Sequence, residues 1–293
     1  MTLYILYRVG LWLALMLPVK LGYRIADFFA RVKLFFVRKE RKLILNNLKV
    51  IVGENNPHLL VYTRKMYENF GKYLVDFFRS EKIDRRFVDK FVKIQGLENM
   101  DNALAKGKGA IGLTAHIGNW ELSAQIMGLL GYKINAIALS HSNVHINNFF
   151  SNQRKIKGVN VIPVGLSVRQ CFSALKRNEI VGILGDRDFS GAHGIFVDFL
   201  GRQMLIPRGP AILSLRTKAA IVPAFVIRDE ENERYFKYVF EKPIYPEYSG
   251  NEGQDIKNIT EKFVKIIEQY VKQYPQQWFV FREFWKAEKV EII

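Results

Sequence analysis

Residues 109–125, Gly-Ala-Ile-Gly-Leu-Thr-Ala-His-Ile-Gly-Asn-Trp-Glu-Leu-Ser-Ala-Gln, decide how the chain reads. An apolar strand ends at Thr114-Ala115, His116 follows at its carboxyl end, Gly118 supplies a tight turn, and Asn119-Trp120-Glu121 opens a helix. Open α/β sheets hold their ligands outside the carboxyl ends of the strands, which puts His116 where chemistry is expected.

The surrounding pattern supports that reading. Short apolar runs at 91–95, 109–114, 133–139, 159–164, 180–185 and 220–227 alternate with amphipathic, helix-length stretches near 120–130, 143–156, 167–178 and 208–218. Such alternation is the mark of βαβ crossovers and predicts an α/β fold, with a largely parallel central sheet flanked by helices. Residues 234–242 add a strand near one edge, and 254–274 a closing helix. Residues 1–89 show helical periodicity only, so the expected division is an N-terminal helical membrane-associating region, 1–89, and an α/β catalytic domain, 90–293.

Lys and Arg number 44 against 28 Asp and Glu, a formal charge of +16 that calls for an anionic partner such as phosphate in lipid head groups or nucleic acid. No helix-turn-helix, zinc or ribonucleoprotein pattern is present, and the basic residues gather beside an apolar N-terminus, so nucleic acid is not the expected partner. The apolar stretch Val9–Leu17 is too short to span a bilayer, and Pro18 and Lys20 lead straight into a second aromatic and basic segment. Residues 1–42 therefore read as an interfacial anchor. Its apolar face enters the acyl boundary, while Arg24, Arg31, Lys33, Arg38, Lys39, Arg41 and Lys42 meet anionic head groups. A lone cysteine, Cys171, excludes a disulfide framework and suits a reducing compartment.

His116 is suited to general-base chemistry, because an imidazole near its unperturbed pKa of about 6.5 can take a proton from an attacking alcohol. It needs a carboxylate to hold its tautomer, and Glu121, in the first turn of the following helix, is a candidate. Asn119 fits either a helix cap or a donor to a substrate carbonyl. His141 and His145 have an i, i+4 metal spacing but no third ligand nearby, so no metal site is expected; His58 and His193 read as solvated. Cys171 has no partner base close in sequence, which disfavours an acyl-cysteine.

The string His116-Ile-Gly-Asn-Trp-Glu121 resembles the H-x-x-x-x-D/E motif of the lysophospholipid acyltransferase superfamily, and in particular its lipid A late-acyltransferase branch. The resemblance continues through Gly185-Asp-Arg-Asp188, through 196–225 with Pro207-Arg-Gly-Pro-Ala211, and through Tyr274-Pro-Gln-Gln-Trp278, so it covers nearly the whole chain in order. It implies catalytic roles for His116, Glu121 and Asp186, leaving open which carboxylate orients His116, because relatives acting on mannosylated lipids carry Glu at the position of Asp186. It also implies acceptor-side roles for Arg187 and Asp188, with Asn119 and Gly209 near substrate, although Gly209 could equally serve the turn. The implied reaction moves a fatty acyl chain from acyl carrier protein or coenzyme A to a hydroxyl of a glycolipid, first of all a lipid A precursor, and second a mannosylated phosphoinositide. It uses no metal or organic cofactor, and the place is the cytoplasmic face of the inner membrane, as a peripheral protein or through one N-terminal anchor. A non-catalytic lipid-binding relative is the remaining alternative.

Overall fold

Among the described residues, nine strands form where β-branched and small apolar residues run between turn residues: β1 Val92–Gln95, β2 Ala110–Thr114, β3 Ile134–Ala138, β4 Val159–Pro163, β5 Ile180–Leu184, β6 Gly194–Phe199, β7 Arg202–Pro207, β8 Ala220–Arg228 and β9 Phe236–Phe240. They belong to a computed structural model that describes residues 2–139, 142–164, 167–187 and 194–285. Seven strands make one sheet in the order β1-β9-β8-β2-β5-β3-β4. Its neighbours pair parallel except β8 with β9, so the sheet is mostly parallel, as the alternation predicts.

The helices are α1 Thr2–Met16, α2 Val19–Phe36, α3 Arg38–Val52, α4 Leu59–Phe78, α5 Arg85–Phe91, α6 Leu97–Leu104, α7 Trp120–Leu129, α8 Val144–Lys155, α9 Ser167–Lys176, α10 Gly209–Thr217 and α11 Glu252–Gln273. One face of the sheet, with Ile111, Leu113, Val181 and Phe225, packs against Phe263 and Val264 of α11 and Ala174 of α9. The other, with Ala110, Ile180, Val222 and Val226, packs against Leu122, Ile126 and Met127 of α7 and Met100 of α6. Ile44 and Leu48 of α3 and Met66 of α4 join the first cluster, so the N-terminal helices share buried apolar packing with the sheet.

A second contact ties the same regions through charge. Asp76 of α4 accepts from the Tyr23 hydroxyl at 2.5 Å, from the Asn119 amide at 3.2 Å and from the Arg228 guanidinium, all buried. Lys72 pairs with Asp27 at 3.2 Å and with Glu233. Among the described residues no helix is long and apolar enough to cross a membrane.

Residues 194–207 depart from the sequence pattern, which marks no strand there. They form the antiparallel hairpin β6–β7, outside the main sheet. Its two-residue turn, Leu200-Gly201, has φ of 58° and 76°, a geometry that normally announces itself through Asn-Gly. Leu200 holds it because its amide donates to Glu268 at 2.6 Å.

Candidate active site

Parallel pairing of β2 with β5 sets Thr114 beside Leu184, and the same register continued two residues past both strand ends brings His116 and Asp186 together. His116 Nδ1 lies 2.8 Å from Asp186 Oδ1, and the His116 backbone N–H donates to Oδ2 at 3.2 Å. The Trp278 indole N–H donates to the same Oδ2 at 3.0 Å. Asp186 is fully buried, whereas the His116 side chain is 17% exposed. Burial by itself raises the Asp186 pKa; the charges of His116 and Arg187, with hydrogen bonds from His116 and Trp278, outweigh it and hold the carboxyl well below the usual carboxylate range. An Nδ1–H donated to this carboxylate puts the imidazole lone pair on Nε2.

The loop after β2 is tightly constrained. Gly118 has φ 61°, and a Cβ there would stand 2.0 Å from the Val226 carbonyl oxygen, so only glycine fits. Asn119 donates its backbone N–H to that same carbonyl at 2.8 Å. The segment 277–279 straps the loop from the other side: Gly118 N–H donates to Gln277 O, and Phe279 N–H to His116 O, each at 2.8 Å. The Gln277 side chain in turn bonds both backbone groups of Arg228.

Glu121, the acid within the motif, faces a different partner. Its carboxylate receives Arg154 of α8 in a two-pronged ion pair, at 2.9 and 2.5 Å, nearly out of water. Burial pulls the Arg154 pKa down and Glu121 more than restores it. The two open candidates thus separate: Asp186 contacts the imidazole, while Glu121 joins α7 to α8. Asn119 is the cap of α7, accepting from Leu122 N–H at 3.0 Å, and its amide donates to Asp76. Asn119 is 2% exposed, and its side-chain oxygen and amide both have partners within the protein.

Arg187 donates to Phe279 O at 2.7 Å; its Nε lies 3.3 Å from Asp186 Oδ2 without the alignment of a hydrogen bond. Gly209 opens α10 with ordinary negative φ, and a Cβ placed on it would meet nothing within 4 Å, so the turn does not demand glycine; its missing side chain leaves a wall of the cavity open. Asp188, His141 and His193 lie outside the described residues. Cys171 is buried, and burial pushes its thiol up to about 11, where the nucleophilic thiolate is scarce.

His116 opens on a cavity of about 710 Å³. Thr114 and Leu184, at the carboxyl ends of β2 and β5, line it together with Arg187, Arg208 and Arg216; its walls are mainly apolar. It reaches between the sheet and α7, where Gly112, Gly182 and Ala136 lie side by side on three adjacent strands. Three neighbouring positions without bulk hollow the sheet surface opposite Ala124 and Met127, and Met100 and Tyr238 line the same space. Volume and lining suit a hydrocarbon chain.

Sequence reasoning misses Trp278 and Arg154 as partners of the two acids. The Pro-x-Gln-Trp stretch is the available signal for Trp278; nothing in the sequence links Arg154 to Glu121, 33 residues away.

A mostly parallel α/β sheet with a carboxylate-held histidine at its strand ends, lining a mainly apolar cavity, fits a class of protein that handles acyl groups. The chain belongs to the bacterial lipid A biosynthesis acyltransferase family, whose model matches residues 1–287, and it is an acyltransferase. It is 26% identical over 230 residues to the phosphatidylinositol mannoside acyltransferase of Mycobacterium tuberculosis (strain ATCC 25618 / H37Rv), covering 76% of this chain and 70% of the relative. It is 22% identical over 283 residues to the lipid A biosynthesis lauroyltransferase of Escherichia coli (strain K12), covering 92% and 86%. To the palmitoleoyltransferase of the same organism it is 24% identical over 281 residues, covering 94% and 87%.

Proposed function

We propose that the protein moves a fatty acyl chain from a thioester of acyl carrier protein or coenzyme A to a hydroxyl of a phosphorylated glycolipid, at the cytoplasmic face of the inner membrane. The observation that carries this reading is the 2.8 Å contact of His116 with Asp186, with His116 lining the apolar cavity. Nε2 of His116 takes the acceptor hydroxyl proton as that oxygen attacks the thioester carbonyl; the tetrahedral intermediate collapses, the carbon–sulfur bond breaks, and the imidazolium returns the proton to the departing thiolate. Asp186 stabilises the imidazolium, and Arg187 braces the Asp186 side. Glu121 and Arg154 hold the cavity wall, and the further arginines in its lining, Arg187, Arg208 and Arg216, favour a phosphorylated acceptor.

A lipid A precursor is the first acceptor reading. The second, a mannosylated phosphoinositide, is favoured by the 26% identity to the mycobacterial relative. Mass spectrometry of lipids from a deletion strain separates them: one glycolipid should lose a single acyl chain, restored by the wild-type gene and not by His116→Ala. An unchanged lipid profile would falsify the assignment.

α1 and α2 would lie on the bilayer. Trp12, Met16, Phe28, Phe29, Phe35 and Phe36 are each more than 60% exposed, an unusual concentration of bare apolar surface. Of the seven basic residues between Arg24 and Lys42, on α2 and the start of α3, Arg31 and Lys33 are paired with Glu68 and Glu40, and the other five make no ion pair among the described residues. Head-group attraction of about 1 kcal/mol per free basic residue then adds to apolar burial.

The hollow in the sheet makes a prediction about chain length. A Cβ on Gly182 meets only ordinary contacts, at 3.8–3.9 Å, so Gly182→Val should fold and project into the cavity. With acyl thioesters of graded length, the optimum should shift shorter by roughly two methylenes, each excluded methylene costing about 0.8 kcal/mol, or about fourfold in kcat/KM. An unchanged optimum would place the chain elsewhere.

A further inference from the structure

A second cavity, of about 300 Å³, lies at the elbow between α1 and α2 and shares no lining residue with the first. Five cations line it, Arg79, Lys82, Arg86, Lys90 and Arg234, against two carboxylates. Both carboxylates are engaged within the protein: Asp76 by Tyr23, Asn119 and Arg228, and Asp84 as the cap of α5, accepting from Phe87 N–H at 2.8 Å. None of the five cations forms an ion pair among the described residues, in contrast with Arg85 on the same helix, which pairs with Asp89 at 2.9 Å.

Two of the five have a structural task. Arg79 donates to the Ala14 and Leu17 carbonyls, and Lys82 to Leu15 O, which places both at the negative end of α1. Arg86, Lys90 and Arg234 remain. Arg234 stands 4.4 Å over the Phe91 ring; burial lowers the Arg79 pKa, Tyr23 and Asp76 raise it in part, and the Arg234 charge lowers it further, so the two guanidinium groups feel each other's repulsion. Like charges gathered around a cavity without a free acid leave room for an anion to stabilise them. The cavity also has apolar walls in Val19, Ile83 and Phe87, and its rim continues along the chain into exposed Met16 and Leu21, on either side of Pro18. Cations at the edge of a bare apolar surface match an anionic head group whose acyl chains run along that surface.

We propose that this pocket binds the phosphate of an anionic membrane phospholipid, at a site separate from the acyl-transfer cavity, and so fixes the elbow at head-group depth. The inference rests on the reading that α1 and α2 lie on the bilayer. The test uses the full chain and sedimentation with two kinds of vesicle, phosphatidylcholine alone and phosphatidylcholine with phosphatidylglycerol. R86Q/K90Q should lose about tenfold or more of the preference for phosphatidylglycerol, with unchanged binding to phosphatidylcholine and unchanged turnover of detergent-dispersed substrate. R85Q, a charge loss outside the pocket, should keep the preference, and F28S/F35S should weaken binding to both vesicles.

Equal preference in R86Q/K90Q and wild type overturns the pocket while leaving the membrane reading intact, provided F28S/F35S still binds less. An R85Q loss as large per charge as that of R86Q/K90Q reduces the effect to bulk charge and overturns it too. Wild type that binds neither vesicle removes the membrane reading and the pocket with it. Inorganic phosphate that raises the melting temperature of lipid-free wild type as much as phosphatidylglycerol does assigns the site to free phosphate instead. A raised KM for an acyl carrier protein thioester, with vesicle binding unaltered, assigns it to the protein donor; either result overturns the lipid site.

Discussion

On the proposed mechanism, His116→Ala is expected to lower kcat by about 10²–10⁴-fold with little change in KM for the acyl donor, because removal of a general base affects the transition state and leaves the apolar cavity intact. Asp186→Asn should cost about as much although it removes only a charge. An amide beside Nδ1 no longer fixes the tautomer that leaves Nε2 basic, and it stabilises no imidazolium. The double variant should be hardly worse than either single one if, as proposed, both act through the same proton transfer. Separable, multiplicative losses would show that the pair does not work as a unit.

The same carboxylate carries a pH signature. The folded-state pKa of Asp186 is depressed, so its contribution to stability is fully present above the unfolded value of about 3.9 and disappears as pH falls toward the folded one. Wild type should therefore melt above Asp186→Asn at neutral pH, and the gap should narrow below about pH 4. Thermal melts across that range read the difference directly; a gap that widens on acidification contradicts the sign.

Much of this centre can be read along the chain, because the apolar period of β2, the glycine at 118 and the cap at 119 are local signals. Gly118 cannot be replaced where its α-carbon abuts the Val226 carbonyl, and a tight turn is what the sequence indicates there. What the sequence leaves open is the identity of the acid facing the ring. Glu121 is five residues from His116, yet the first turn of α7 carries it toward Arg154 on α8. Asp186 is 70 residues away, and β5 lies next to β2 only because β3 and β4 come earlier in the chain yet pair farther out. Sheet order is a tertiary choice and leaves little trace in local periodicity. The hairpin at 194–207 escapes for the opposite reason, a local rule overridden: Leu200 occupies a left-handed turn position that a bond to Glu268 makes tenable.

Asp76→Ala is expected to destabilise the fold by about 3–5 kcal/mol, on the order of 10 °C in melting temperature for a chain of this size. Arg228 is 5% exposed and would keep its charge after losing its carboxylate, which is the costly half of breaking a buried pair. The loss should extend to activity, because the carboxylate that holds Arg228 also receives the Asn119 amide, and Asn119 is the cap from which α7 starts. Weakening that cap loosens the turn between His116 and Trp120, whose rings stand 5.2 Å apart. Replacing both charges, in Asp76→Leu with Arg228→Met, removes the stranded guanidinium and should recover part of the stability without recovering the cap. A double variant no more stable than Asp76→Ala would assign the role of Asp76 to its bonds with Tyr23 and Asn119, whereas recovery of stability without turnover would show that this pair couples the N-terminal helices to the catalytic loop.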